Sequence, residues 1–212
     1  MTFQFQFYLF CSALTSAAVL GLLGSEWRDS QAGRWLFKPI AALGFVLAGV
    51  AMTLWHTTHG QWIFAGLLLS VLGDLFLIPR AAGRFFKLGL FSFLLAHVAY
   101  AIACFYMGLD AWHAVFALGI LGLVAWYVYS YFAPDLPPSL VMPVRIYISV
   151  ITLMVALSLA TGSLLMSTAA FAFWLSDISV ARGRFKKTGF GNKLWGIPLY
   201  FGAQLMFAFA GA

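Results

Sequence analysis

Two aspartates, Asp74 and Asp177, lie inside long apolar stretches and are the residues of this sequence best placed for chemistry. Asp74 lies in SVLGDLFLIPR and Asp177 in FWLSDISVAR, and each precedes the first arginine of a basic segment by five or six residues. A carboxylate within a membrane span costs about 2.5–3.5 kcal/mol, so such residues face a bundle interior or a wet cavity. The spacing predicts one depth for both carboxyls, roughly 8–9 Å inside the membrane boundary. They form a candidate acid/base pair, because different surroundings give two carboxyls different charge states.

A structural role is the alternative for each aspartate, for instance an interhelical ion pair of Asp74 with Lys38 or Arg145. The remaining four of the six acidic residues lie in segments between the apolar stretches, and we expect them to be solvated charges. They are Glu26, Asp29, Asp110 and Asp135.

Further polar residues are expected near the same layer of the protein. Each alone is explained by an interhelical hydrogen bond, but together they predict a polar pocket that opens towards the cytoplasmic half. Tyr200 and Gln204 are four residues apart and therefore share a helix face. The full set of candidate binding residues is Lys38, His97, Tyr100, Arg145, Tyr147, Tyr200 and Gln204.

The composition requires that helices in lipid position these side chains. The 212 residues are 63% hydrophobic and 8% charged, with a mean hydropathy of +0.96, whereas soluble domains carry about 25% charged residues. The sequence predicts an all-α, polytopic membrane bundle of about eight helices, forming a single transmembrane domain over residues 1–212. The predicted spans are 5–23, 38–55, 61–79, 86–107, 113–132, 143–160, 163–181 and 194–211. The Pro-rich segment 133–143 is predicted to be an interhelical loop.

All twelve basic residues fall between spans one and two, three and four, five and six, or seven and eight. They are Arg28, Arg34, Lys38, Arg80, Arg84, Lys87, Arg145, Arg182, Arg184, Lys186, Lys187 and Lys193. Since basic loops stay in the cytoplasm, this pattern predicts that both termini lie outside, with the active site in the cytoplasmic half of a bacterial inner membrane. The net charge of +6 is therefore assigned to cytoplasmic loops and anionic lipid, with no nucleic-acid partner.

The segments that follow the two aspartates are similar to each other. GDLFLIPRAAGRFFK (73–87) and SDISVARGRFKK (176–187) share an Asp, a short apolar tail, an Arg-rich turn and Phe-Lys. The two aspartates are separated by about half of the chain, which suggests two four-helix pseudo-repeats. Such repeats would be related by an axis along the membrane normal, with one aspartate from each on a central cleft.

Motifs for other chemistries are missing from the sequence. It contains no GxSxG elbow, Walker loop or GxGxxG. His56, His59 and Asp110 have no established metal-ligand spacing, so we expect no metal and no organic cofactor.

Five segments, in order, resemble the YhhN family of lysoplasmalogenases. They are FKPI (37–40), LGDLFLI (72–78), FSFLLAHVAY (91–100), FWLSDISVA (173–181) and LYFGAQL (199–205). The resemblance implies an ether hydrolase that cleaves the vinyl ether bond of a lysophospholipid, the lysoplasmalogen. The products would be a fatty aldehyde and glycerophosphocholine or glycerophosphoethanolamine. It also implies that Asp74 and Asp177 correspond to the two essential aspartates of the family.

Acid hydrolysis of a vinyl ether suits a carboxyl pair, because one acid protonates the alkene and a carboxylate stabilises the oxocarbenium ion and activates water. Under this interpretation Lys38 or Arg145 would bind the lipid phosphate. Tyr100, Tyr147, Tyr200 and Gln204 would orient the ether and the water, and the chain would lie in a Phe-lined slot between helices.

Three alternatives remain open from the sequence. A transporter or lipid flippase would use the two aspartates for proton coupling, a related hydrolase would cleave another lipid bond, and a lipid-binding protein would cleave none. The oligomeric state is not predicted.

Overall fold

A computed structural model of the protein describes residues 2–79 and 83–211. Eight long α-helices account for most of these residues, and no described residue lies in a β-strand. The all-α prediction with about eight helices is therefore confirmed. The helices are α1 (Phe3–Trp27), α2 (Gln31–Ala51), α3 (Thr58–Leu77), α4 (Gly83–Met107), α5 (Ala111–Phe132), α6 (Pro138–Ala160), α7 (Leu164–Phe185) and α8 (Phe190–Ala210).

Length and composition make α1 to α7 suitable for crossing a membrane, so the protein is an integral membrane protein. Among the described residues α8 does not meet the same criterion, and it carries Asn192 and Lys193 in its first turn. Helices suit this environment because every backbone polar group must find a partner within the protein.

Side-chain oxygens cap the first turns of five helices, where backbone N–H groups have no intrahelical partner. Each cap accepts a hydrogen bond from the backbone N–H three residues later. The capping residues are Thr2, Ser30, Thr57, Asp110 and Ser163.

The predicted Pro-rich loop over 133–143 is wrong in its second half, because α6 begins at Pro138. Proline is tolerated in the first turn of a helix, where its missing N–H would have had no partner. Pro143 lies within α6, and helices in lipid accept such a proline when neighbouring groups satisfy the freed carbonyl. Arg145 consequently lies two turns into the helix and not in a loop.

Consecutive helices pack as antiparallel pairs, α1 on α2, α3 on α4, α5 on α6 and α7 on α8. The pairs join through contacts of α8 with α1 and α2, of α4 with α6, and of α6 with α7. Close approach of α3 to α4 depends on Gly73, since an added Cβ would lie 2.6 Å from the ring of Phe93. The two-repeat arrangement stays a prediction.

Three contacts place the four segments that carry the basic residues, those after α1, α3, α5 and α7, at one end of the bundle. Gln31 donates to the carbonyl oxygen of Ile78 at 3.2 Å, which joins the start of α2 to the end of α3. Ion pairs of Lys193 with Glu26 and of Lys186 with Asp135 bring the other two basic connections to that end. Arg80, one of the basic residues behind the predicted orientation, lies outside the described residues. The assignment of this end to the cytoplasm stays a prediction.

Candidate active site

Asp74 is buried on α3 between a cation from α2 and a hydroxyl from α8. The Nζ of Lys38 lies 3.1 Å from its Oδ1, and also donates to the Asp74 carbonyl oxygen at 3.2 Å. The hydroxyl of Tyr200 donates to Oδ2 at 2.6 Å. With only 2% of the residue exposed, an ionised Asp74 has its charge balanced by Lys38 and both oxygens in contact with donors. The ion pair of Asp74 with Lys38, considered from the sequence as an alternative, is present.

Asp177 on α7 has a different set of partners. The hydroxyl of Tyr147 on α6 donates to its Oδ2 at 2.7 Å. The Nε2 of His97 on α4 lies 3.7 Å from the same oxygen, and among the described residues neither ring nitrogen of this fully buried histidine has a hydrogen-bond partner. Within residues 2–79 and 83–211 no lysine or arginine forms an ion pair with Asp177. The two carboxyls therefore differ in their partners, one beside an ammonium group and the other beside a phenol and an imidazole.

Both carboxyls line one cavity of about 390 Å³ at the basic end of the bundle. Its walls come from α1, α2, α3, α4, α7 and α8, and they combine apolar side chains with several charged ones. The charged and amide side chains along it are Glu26, Arg34, Lys38, Asp74, Asp177, Arg184, Asn192 and Lys193. The predicted convergence of the two aspartates on a shared pocket is thus present in the fold.

A second, smaller cavity of about 80 Å³ lies between α3, α4, α5, α6 and α7 and is lined mostly by apolar side chains. Four phenylalanines contribute to it, namely Phe86, Phe93, Phe132 and Phe185. Leu77, Phe86, Phe93, Asp177 and Val180 line both cavities. Asp177 therefore lies where the larger cavity, with its charged side chains, meets the smaller apolar one.

Tyr100 and Gln204 form a buried pair that lines neither cavity. The hydroxyl of Tyr100 donates to Oε1 of Gln204 at 2.6 Å, and its ring stacks on Phe207 with centroids 4.1 Å apart. Phe173 contacts the rings of both Tyr100 and Tyr200, so the pair supports the site from behind. The proposed direct contact of Tyr100 and Gln204 with substrate has no support in this arrangement.

Arg145 is a predicted site residue that the structure places on the surface, away from both cavities. It is exposed on α6, where its Nε donates to the hydroxyl of Tyr129 at 2.8 Å and its guanidinium lies 4.9 Å from the centroid of that ring. Two residues later on the same helix, Tyr147 faces inwards. Position 145 therefore lies on the face of α6 that packs on α5.

The prediction that Glu26 is a solvated charge is wrong. Its side chain is 12% exposed, accepts from Nε of Arg34 at 2.8 Å and pairs with Lys193. Arg34, which is 4% exposed, also binds Asp29 at 2.6 Å. The other acids predicted to be solvated are exposed, as expected, and they are Asp29, Asp110 and Asp135.

Sequence reasoning missed four cationic or amide groups of the larger cavity. For one of them a signal was available, since Arg184 follows Asp177 by seven residues and therefore shares its helix face. The contact of Lys193 with Glu26 joins residues 167 positions apart, and no local spacing predicts such a pairing. The missed residues are Arg34, Arg184, Asn192 and Lys193.

Comparison with known proteins gives the chain a family. A model described as the YhhN family matches residues 33–211. The chain belongs to the YhhN family. It is similar to a lysoplasmalogenase homolog of Dictyostelium discoideum, with 36% identity over 106 residues that make up 46% of this chain and 34% of that protein. Lysoplasmalogenase TMEM86A of Bos taurus is 27% identical over 184 residues, or 82% of this chain and 71% of the relative. No solved structure matches this chain.

The YhhN match begins near the start of α2 and continues to the end of α8. It includes both aspartates, their tyrosine partners and Lys38, which confirms the resemblance inferred from five short segments. Glu26 and the rest of α1 precede the matched residues, although Glu26 lines the larger cavity. The chain matches only about a third of the length of the Dictyostelium protein.

Proposed function

We propose that this chain hydrolyses the vinyl ether bond of lysoplasmalogens, releasing a fatty aldehyde and glycerophosphocholine or glycerophosphoethanolamine. One observation carries the proposal: the buried carboxyl of Asp74 and the part-buried carboxyl of Asp177 have different partners and line one cavity, and Asp177 also borders an apolar cavity. Membership of the YhhN family and the names of two relatives support a lipid ether hydrolase. The substrate and the cofactor-free chemistry are the finer parts of the proposal.

The shape of the two cavities suits an amphiphile with a short polar end. The part of the alkenyl chain next to the ether lies in the smaller cavity against Phe93, Phe132 and Trp174. The glycerol and headgroup lie in the larger cavity, where charged side chains replace lost water contacts. The vinyl ether then lies at the common wall, beside Asp177.

The first chemical step is proton transfer to carbon. Asp177, whose described partners include no lysine or arginine, is the acid and donates its proton to the outer alkene carbon, which leaves an oxocarbenium ion. Tyr147 donates to Oδ2 of Asp177, which leaves Oδ1 to carry the proton. The carboxylate of Asp74, paired with Lys38, stabilises the positive charge electrostatically.

Water completes the reaction and returns both acids to their starting states. Asp74 takes a proton as water adds to the cation, and the product is a hemiacetal. Asp74 then returns that proton to the departing glycerol oxygen while ionised Asp177 takes the hydroxyl proton. The carbon–oxygen bond to glycerol breaks, one water is consumed, and Asp177 is again protonated and Asp74 again ionised.

The test uses purified full-length protein with a lysoplasmalogen and with the matching ester lysophospholipid, and it measures both aldehyde and fatty acid. We expect aldehyde from the vinyl ether and no fatty acid from the ester. Asp74→Asn and Asp177→Asn should each lower turnover by about 10³-fold or more, as loss of an acid or base does. Asp110→Asn is the matched control, since this exposed residue caps α5 and asparagine caps equally well.

Folded wild-type protein that releases no aldehyde would overturn the proposal, and so would a fully active variant at either aspartate. Release of fatty acid alone would assign the site to an ester bond. Movement of an intact lipid across vesicles without any cleavage would indicate a transporter.

A further inference from the structure

The larger cavity contains cations that the acid/base chemistry does not use. Arg184 on α7 and Lys193 on α8 both line it, and neither contacts Asp74 or Asp177 within ion-pair distance. Lys193 is held by Glu26, which fixes its ammonium group at the cavity wall. These two side chains come from helices that pack on each other and flank the same connection.

Arg184 has a position that suits a ligand anion. Its guanidinium lies 4.6 Å from the centroid of the Phe86 ring, and Phe86 lines both cavities. In the part of the chain that the structure describes, no acidic residue pairs with Arg184. Stacking on an aromatic face fixes the plane of the guanidinium and leaves its N–H groups free for the fork geometry that matches phosphate oxygens.

Two unsatisfied polar atoms lie beside these cations. The Oγ1 of Thr188 and the Oδ1 of Asn192 are buried and have no hydrogen-bond partner within the described residues, and both residues line the larger cavity. Asn192 is only 8% exposed. Buried polar atoms without partners are rare in folded proteins, so a ligand with hydroxyl or oxygen groups accounts for them.

The spacing along α7 matches a phosphate attached to the reacting lipid. Seven residues separate Asp177 from Arg184, a rise of roughly 10 Å on one helix face, and helical side chains lean back towards the N-terminus. The guanidinium therefore reaches towards Asp177 over an interval that the glycerol backbone can span. Lys38 instead contacts the carboxyl of Asp74 at 3.1 Å, so in the proposed function it serves the acid/base chemistry.

We propose that Arg184 and Lys193 form a phosphate-binding subsite of the larger cavity, with Thr188 Oγ1 as an additional donor. This inference rests on the proposed function for the identity of the lipid, but its location is independent of the cleavage chemistry. A phosphate group is bound there as the diester of a lysophospholipid, and free phosphate has the same chemistry.

Binding separates this inference from the proposed function. A non-cleavable 1-O-alkyl lysophosphoethanolamine and the matching 1-O-alkylglycerol, which has no phosphate, are titrated against full-length protein in nanodiscs. We expect wild type to bind the phosphate-containing lipid more tightly by about 10- to 100-fold, as for one or two hydrogen bonds to a charged group. Arg184→Gln with Lys193→Gln should remove that preference and leave alkylglycerol binding unchanged. Lys187→Gln is the control, an exposed cation of the same connection that lines neither cavity.

Equal affinity of the wild type for the two lipids would overturn the subsite, as would an unchanged preference in the double variant. Loss of affinity for both lipids together would assign the two cations to folding instead. Inorganic phosphate tells whether the subsite binds free phosphate or only the phosphate diester of a lipid. Displacement of the lipid by millimolar phosphate would show that the subsite accepts both, and no displacement would restrict it to the lipid diester. Aldehyde release is measured separately, so a protein that binds the lipid without cleaving it retains the subsite and loses only the proposed function.

Discussion

Lys38 has a different partner in the structure from the one that the sequence predicted. From the sequence it was a candidate phosphate ligand, but its Nζ binds Oδ1 of Asp74 at 3.1 Å. Breaking a buried ion pair leaves an uncompensated charge, at a cost of about 3–5 kcal/mol. Under the proposed function, the pair therefore acts on the charge of Asp74 and not on the affinity for the headgroup.

We predict that Lys38→Met lowers kcat for aldehyde release by about tenfold or more, with little change in KM, because the residue acts through the carboxylate. Lys38→Arg should recover much of the loss, since it restores a cation beside Asp74. Steady-state kinetics on protein of verified thermal stability measures both constants. A raised KM with unchanged kcat would return Lys38 to the role of a phosphate ligand.

For single residues, the sequence was sufficient to single out both aspartates, because an acid flanked by apolar residues in a membrane span is costly and therefore rare. It also predicted Tyr147 and Tyr200 as part of the same polar layer. It did not predict which tyrosine binds which carboxyl, since that depends on how α6 and α8 are rotated in the bundle. Glu26 was misjudged because its partner Lys193 comes from the far end of the chain.

Among the elements, the α3–α4 pair determines where Asp74 lies. Gly73 precedes Asp74 and faces the ring of Phe93, which lines both cavities. Gly73→Ala would place a Cβ 2.6 Å from that ring. Either α3 moves away from α4 or the ring moves, and each change displaces the site.

We predict that Gly73→Ala lowers the free energy of unfolding by about 1–3 kcal/mol, the usual cost of overpacking, and reduces turnover. Thermal unfolding in detergent and aldehyde release are the measurements. Gly122→Ala on α5 is the matched control, because an added Cβ there meets nothing within 4 Å. Phe93→Leu should partly restore the stability of Gly73→Ala, and no restoration would argue against this contact as the cause.

The length of each apolar stretch predicted that a helix lies there. It did not predict where the helix begins and ends or how it is rotated about its axis. The predicted start of span six at 143 differs from the observed start at Pro138. On the same helix Arg145 lies outside the candidate site, whereas Tyr147, two residues later, lines the smaller cavity. The rotation of a helix about its axis is set by packing against neighbouring helices, and the sequence of a single apolar stretch does not encode that packing.

For the whole molecule, the predicted orientation is open to a direct test, because the two native cysteines, Cys11 and Cys104, are buried. Lys187→Cys at the basic end and His56→Cys at the other end each add one exposed thiol. We predict that a membrane-impermeant maleimide labels His56→Cys on intact cells and Lys187→Cys only in inverted vesicles. Labelling in the opposite pattern would reverse the orientation and place the cavity on the outer side.

α5 separates the smaller cavity from the surrounding lipid through Val128 and Phe132, packs mainly on α6, and exposes most of its other side chains. Under the proposed function, a lipid that reaches the cavity past such a helix arrives from within the bilayer, and the fatty aldehyde leaves the same way. The rate then depends on the mole fraction of substrate in the membrane and not on its amount per volume of solution. Adding inert phospholipid to vesicles at a fixed quantity of enzyme and substrate should therefore slow the reaction by surface dilution.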